Sequence, residues 1–298
     1  MPSQEFGQIL DFLKTLPESS GLSMDQRRVE MEASLASLPM AEGVSSEPVK
    51  IGDMQAEWSV PSEIENESII LYLHGGGYCI GSISTHRSMV SFLAKAAKSK
   101  ALMIDYRLAP ENPFPAAVED AVSAYRWLLA QGILPEQLVI SGDSAGGGLT
   151  VATLVNLKEK GEPLPAAAVC LSPWVDLEGI GDSITTKAEV DPMLTREGLI
   201  EFSNCYLASA DPKSPLAAPM YADLQGLPPM LIQVGTAEIL LDDAARLAAK
   251  AKQAGVQVDL ENWDDMIHVW HIFTGMEVPE SRDAIDGIAK FIQRHTLG

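Results

Sequence analysis

Short apolar runs rich in β-branched residues alternate along this chain with longer stretches whose apolar positions recur every three or four residues. The first kind predicts strands over 69–73 (IILYL), 101–105 (ALMID), 138–141 (LVIS), 167–171 (AAVCL), 230–234 (MLIQV) and 256–260 (VQVDL), bounded by glycine, polar or turn residues. The second predicts a helix over 116–131, where Val118, Val122, Tyr125, Leu128 and Leu129 share a face. It predicts another over 241–255, where Leu247 and Ala251 precede a Gly255 stop. Strands apolar on both faces, separated by amphipathic helices, make a mostly parallel central sheet flanked by helices, an α/β fold. Two stretches break the alternation: residues 1–45, helical in pattern before any strand, and residues 178–222, a long insertion. Both are read as helical cap elements on a single domain spanning 1–298, a length that α/β folds often accommodate in one unit.

Charge narrows the partners. With 41 acidic against 21 basic residues and a net charge of −20, the surface repels phosphate backbones and anionic bilayers, so no nucleic-acid partner is expected. Cys79, Cys170 and Cys205 are few, odd in number and without C-x-x-C spacing, and they read as small buried apolar residues rather than a disulfide framework or zinc site. The opening residues lack the basic and apolar regions of a secretion signal, and no apolar run approaches the ~18 residues of a membrane span. A soluble cytoplasmic protein with no membrane span is the expectation. Asn66-Glu67-Ser68 fits the glycosylation pattern and is read as a chance match.

Two glycine motifs carry candidate chemistry. Gly142-Asp143-Ser144-Ala145-Gly146 directly follows a predicted strand and precedes a helical stretch, the setting in which a serine is presented on a sharp turn as a nucleophile. His74-Gly75-Gly76-Gly77 also follows a strand, and it is the more specific of the two. Acyl transfer needs backbone N–H donors aimed at the developing oxyanion, and the amides of Gly76, Gly77 and Ala145 are assigned to that hole. His74 is read as a hydrogen-bonder that stabilises the loop.

A serine nucleophile needs a base and a carboxylate to orient it. His86 lies just past the glycine loop and His295 near the C-terminus, which leaves His268 and His271 on the loop after the last strand. His271 is one helical turn further on and has a plainer reading as a surface or packing residue. Three acids, Glu238, Asp242 and Asp243, crowd one segment. Glu238 lies beyond the carboxyl end of the 230–234 strand, where open parallel sheets place their sites. Asp242 and Asp243 suit the N-cap and first turn of the next helix, within reach of Arg246. Glu238 is the first candidate and Asp242 the second.

The motifs HGGGY, DYRLAPENPFPAA, GDSAG, LSPWVDL and the late MIH together resemble the bacterial hormone-sensitive-lipase-like esterases of the α/β-hydrolase fold, in the subgroup with a GDSAG elbow. The resemblance spans roughly residues 55–295 and implies a carboxylic ester hydrolase for short to medium acyl chains, a helical cap, an acyl-enzyme intermediate and no metal or organic cofactor. His268, after Met-Ile, matches the histidine of the family. Glu238 stands where the family usually has aspartate in Asp-x-Leu, a departure that still leaves an acceptable Ser144–His268–Glu238 triad. The resemblance also implies a homodimer through the last sheet edge, here VQVDLENW.

Asp105, Arg107 and Glu111 of the DYRLAPE segment are expected to form a polar network that fixes their loop. Phe12, Leu13, Tyr78, Met193, Leu194, Phe202 and Leu207 are candidates for an acyl pocket, with packing the plainer reading. An amidase or deacetylase using the same triad, and a non-catalytic small-molecule receptor on the same fold, are the competing functions; a small-molecule ester is the expected substrate.

Overall fold

The computed structural model describes residues 2–15, 21–65 and 67–296. Asn66, which heads the glycosylation match, lies outside them.

After helices α1 (Gln4–Leu13) and α2 (Met24–Leu35) come strands β1 (Val44–Ile51), β2 (Met54–Pro61) and β3 (Ile69–Leu73). Then follow α3 (Ile83–Ala97), β4 (Lys100–Ile104), α4 (Ala116–Ala130), β5 (Leu138–Asp143), α5 (Ala145–Glu159) and β6 (Ala167–Leu171). The long insertion carries α6 (Ser183–Thr186) and α7 (Arg196–Leu207). The chain closes with β7 (Met230–Gly235), α8 (Leu241–Gln253), β8 (Val258–Trp263) and α9 (Pro279–Thr296). Among the described residues the strands form one eight-stranded sheet in the order β1-β2-β4-β3-β5-β6-β7-β8, parallel from β4 through β8, with β1 and β2 antiparallel.

The apolar strands β3, β5, β6 and β7 are buried along their whole length, which is why their sequences run apolar without alternating. One core lies beneath α4, α5 and α8, with Val118, Val122, Leu128, Leu247 and Ala251 turned inward. The other lies beneath α3 and α9, where Leu93, Ile285, Ile288 and Phe291 meet Phe6 and Ile9 of α1. Among the described residues no helix is long and apolar enough to cross a membrane.

The pattern reading omits β1 and β2. Their hairpin turns on Gly52-Asp53, with Ile51 opposite Met54, but β1 is an edge strand in which Ile51 alone is buried, and it is interrupted by Pro48. It therefore lacks the apolar run that announces a central strand. The last strand begins at Val258 rather than at Val256. Helices α3 and α9 are further additions, the latter carried by Ile285, Ile288, Ala289 and Ile292 at helical spacing.

Candidate active site

The carboxyl ends of the parallel strands converge on one region, as open α/β sheets do. Residues 74–77 follow β3, Ser144 follows β5, Ser172 follows β6, Glu238 follows β7 and His268 follows β8.

Ser144 sits at φ 52° and ψ −120°, a strained conformation for a side-chain-bearing residue, and its amide donates to the Leu171 carbonyl at 2.8 Å. The turn is so tight that a Cβ on Gly142 would lie 2.3 Å from the Gly146 oxygen, and one on Gly146 would lie 2.0 Å from that of Leu73. Only glycine fits both places. Ala145 opens α5, so its N–H belongs to the first turn, whose amides have no partner within the helix.

Beside it, the Gly76 carbonyl accepts from the Cys79 and Ile80 amides at 3.0 Å each and folds the glycine loop into a turn, with Gly76 at φ 109° and Gly77 at φ 60°. Asp143 ties this loop to the elbow. Its buried carboxylate accepts from the Gly75 amide at 3.1 Å and the Tyr72 hydroxyl at 2.8 Å, and it faces His86 Nε2 at 3.4 Å. Burial opposes charge on both partners, yet their mutual attraction prevails: His86 is held above the ordinary imidazole value and Asp143 below the ordinary carboxylate value. His74 donates from its position in the loop, with Nδ1 2.7 Å from the Gly75 carbonyl and its ring stacked on Tyr106, and burial lowers its pKa to about 3. It is a structural histidine.

Helices from both atypical stretches pack on the glycine loop. Arg28 of α2 donates to the Cys79 and Ala109 carbonyls at 2.8 and 2.9 Å and pairs with Glu111 at 2.7 Å. Tyr206 of α7 stacks on Tyr78 with ring centroids 3.7 Å apart, and Phe202 lies against Gly77, where an added Cβ would meet its ring at 2.6 Å. Arg27 joins the two helices through Glu201 at 2.6 Å. Of the acyl-pocket candidates, Tyr78 and Leu207 are buried in this packing, whereas Phe12 is 57% and Met193 40% exposed.

Glu238 is fully buried, with Oε2 2.7 Å from His268 Nδ1. A carboxylate only accepts, so Nδ1 carries the proton and Nε2 is left as the basic nitrogen. Burial works against the imidazolium, but Glu238 outweighs it and holds the pKa of His268 above the ordinary value. Ser144 and His268 form no hydrogen bond with each other here, and such contacts often tighten only around substrate. His271 is a packing residue: it is fully buried, its Nε2 is 2.8 Å from Gln233 Oε1, and burial lowers its pKa to about 3.

The two aspartates are engaged elsewhere. Both lie in the first turn of α8, but its N-cap is Leu240. Asp243 accepts from the Val175 and Asp176 amides at 2.9 and 3.0 Å, and burial pushes its pKa up to about 7. Asp242 accepts from the Ser183 amide at 2.8 Å, and Arg246 pairs with Asp176 at 2.7 Å rather than with either aspartate. These acids pin the insertion to α8. Nor do Asp105, Arg107 and Glu111 form one network. Asp105 accepts from the Ile83 amide, Arg107 pairs with Asp120 and Glu119, and Glu111 goes to Arg28.

Cys79 and Cys170 are buried and Cys205 half-buried, all as free thiols. Burial pushes the Cys170 thiol up to about 12. Among the described residues no group of three or more His, Cys, Asp or Glu is placed to hold a metal ion.

Residues 70–272 match the model of a family described as having the alpha/beta hydrolase fold. The chain belongs to that α/β-hydrolase family. Among its relatives is an acetyl-hydrolase of Streptomyces hygroscopicus, 48% identical over 248 residues that cover 83% of this chain and 82% of that one. A solved esterase of the bacterial hormone-sensitive lipase family superposes with a TM-score of 0.95 at 47% identity, over 99% of both chains. A second solved relative, EstE5 soaked with p-nitrophenyl butyrate, is 47% identical with a TM-score of 0.95, over 99% of this chain and 100% of that one. The kinship read from the motifs, to bacterial hormone-sensitive-lipase-like esterases, is therefore met in family, fold and enzyme class.

The sequence reading missed Ser172, Asp143 with His86, and Arg28. Asp143 was visible only as the variable position of a motif, and the other three bind partners more than fifty residues away in sequence.

Proposed function

We propose that this protein hydrolyses carboxylic esters of short to medium acyl chains through a Ser144–His268–Glu238 triad. The carrying observation is the 2.7 Å contact of Glu238 with His268 Nδ1, made beside an elbow that presents Ser144. His268 Nε2 takes the Ser144 proton as Oγ attacks the ester carbonyl, and the oxygen that becomes negative is held by the amides of Gly76, Gly77 and Ala145. Collapse expels the alcohol, which receives the proton from His268, and leaves an acyl-Ser144 ester. Water deprotonated by the same imidazole attacks the acyl carbonyl, and the acid departs as Ser144 regains its proton. Glu238 keeps the ring in the tautomer that both halves need and stabilises the imidazolium.

Helices α2 and α7 act as the cap over this site, and Phe202 against Gly77 narrows the space beside the hole, which favours small acyl groups. The acetyl-hydrolase relative supports the short end of the range. A cytoplasmic location and a homodimer through β8, the terminal strand of the sheet, belong to the same reading. Ser144→Ala is the test: turnover of p-nitrophenyl acetate and butyrate should fall by at least about 10³-fold, and full retention would refute the reading.

A further inference from the structure

Two residues flanking the proposed acid and base share an uncommon backbone. Ser172, just past β6, has φ 45°, and Val269, the neighbour of His268, has φ 47°. Positive φ is uncommon for any residue with a Cβ and a genuine outlier for β-branched valine. Pro173 follows Ser172 and restricts its backbone further. Such conformations persist where the surroundings over-determine them, and they gather at functional sites. Here the two strained residues are joined to each other, because the Val269 amide donates to Ser172 Oγ at 3.2 Å.

The same hydroxyl donates to Glu238 Oε1 at 2.7 Å. The Gly235 amide donates to that oxygen as well, at 2.8 Å, so Oε1 is gripped from two sides and Oε2 is turned to His268. Ser172 Oγ is thus bonded both to the acid and to the loop that carries the base. Its own amide, donating to the Gln233 carbonyl at 2.7 Å, extends the β6–β7 ladder and anchors the group to the sheet. Glycine would relieve the backbone at this position, yet the chain places a fully buried hydroxyl there.

We propose that Ser172 is a positioning residue of the hydrolytic site, fixing the Glu238 carboxylate and the His268 loop in register through its hydroxyl. The inference rests on Glu238 and His268 being the acid and base of the proposed reaction. Ser172 touches no reacting atom; it acts through Glu238. A carboxylate free to swing by about an ångström would leave His268 poorly oriented, a displacement of the size that can cost about 10²-fold in rate.

The test is a double-mutant cycle on p-nitrophenyl butyrate hydrolysis, with melting temperatures recorded alongside. Ser172→Ala removes the hydroxyl and keeps the backbone strain, whereas Ser172→Gly removes both and carries the test if the alanine variant folds poorly. Each should lower kcat by about 10- to 100-fold with KM within about 2-fold. In a Glu238→Gln background the loss from Ser172→Ala should shrink to under about 3-fold, because residues acting as a unit are not additive. Wild-type kcat in the glycine variant, or the same fold-loss in both backgrounds, overturns the proposal while leaving the triad in place. Wild-type turnover in Glu238→Gln alone overturns the triad and Ser172 with it.

Discussion

Replacing Glu238 by glutamine tests the acid with little change of shape. The glutamine carbonyl can take the place of Oε1 and still accept from the Ser172 hydroxyl and the Gly235 amide, now at 2.7 and 2.8 Å. Its NH₂ then falls where Oε2 stood, 2.7 Å from His268 Nδ1. An amide nitrogen donates and cannot accept, so Nδ1 must become the acceptor, and the ring proton moves to Nε2. The nitrogen that should take the Ser144 proton is then already protonated. The equivalent change in serine triads lowers kcat by about 10⁴-fold, or about 5 kcal/mol of barrier. The assay is kcat and KM on p-nitrophenyl butyrate, with circular dichroism to verify the fold. Asp242→Asn is the matched control. Its carbonyl can still accept from the Ser183 amide, so the cost should be confined to stability, about 1 kcal/mol, with turnover nearly intact. A Glu238→Gln enzyme within about tenfold of wild type, or a larger loss in Asp242→Asn, would refute the assignment.

Further outcomes follow from the same geometry. Since His268 must be neutral to accept a proton and Glu238 holds its pKa above the ordinary value, kcat/KM should rise with pH through a midpoint above about 6.5. A midpoint at or below that value counts against the pairing. The buried His86–Asp143 pair links stability to pH in two senses. His86, held high, stabilises at pH below the ordinary imidazole range, and that contribution is lost as pH rises through its folded value. Asp143, held low, stabilises above the ordinary carboxylate range, and that contribution is lost as pH falls through its folded value. Asp143→Ala, which strands His86 and frees the Gly75 amide, should cost about 3–5 kcal/mol in urea unfolding near pH 6, and a loss under about 1 kcal/mol would show that the pair does little. Gly76→Ala would place a Cβ 2.3 Å from the Ile80 carbonyl oxygen at a φ of 109°, so the loop must shift and kcat should drop by about 10²- to 10³-fold. An unchanged kcat would remove the Gly76 amide from the oxyanion hole.

What the sequence determined is what neighbours within a few positions can encode. A strand buried on both faces must be apolar throughout, so β3, β5, β6 and β7 were legible as runs of four or five residues. An elbow in which strand and helix nearly touch demands Gly142 and Gly146 around Ser144, and a loop that bares its amides demands glycines, so both motifs announced themselves. The crowd of acids in 238–243 was sorted in part by the same local logic, with Glu238 on a loop and the aspartates in a helix's first turn. Tertiary structure decided the rest. In the hairpin of β1 and β2, β1 lies at the sheet edge with only Ile51 buried, and β2 buries Ala56, Glu57, Ser59 and Pro61, small or polar residues that write no apolar run. The placing of Asp243 under Val175 and of Arg246 on Asp176 depends on how the insertion settles on α8. So does the work of Ser172, which lies 66 residues from Glu238 and 97 from Val269 along the chain and meets both because β6, β7 and β8 stand side by side. Local pattern fixes which face of an element is buried; only strand order fixes which side chains meet where the strands end.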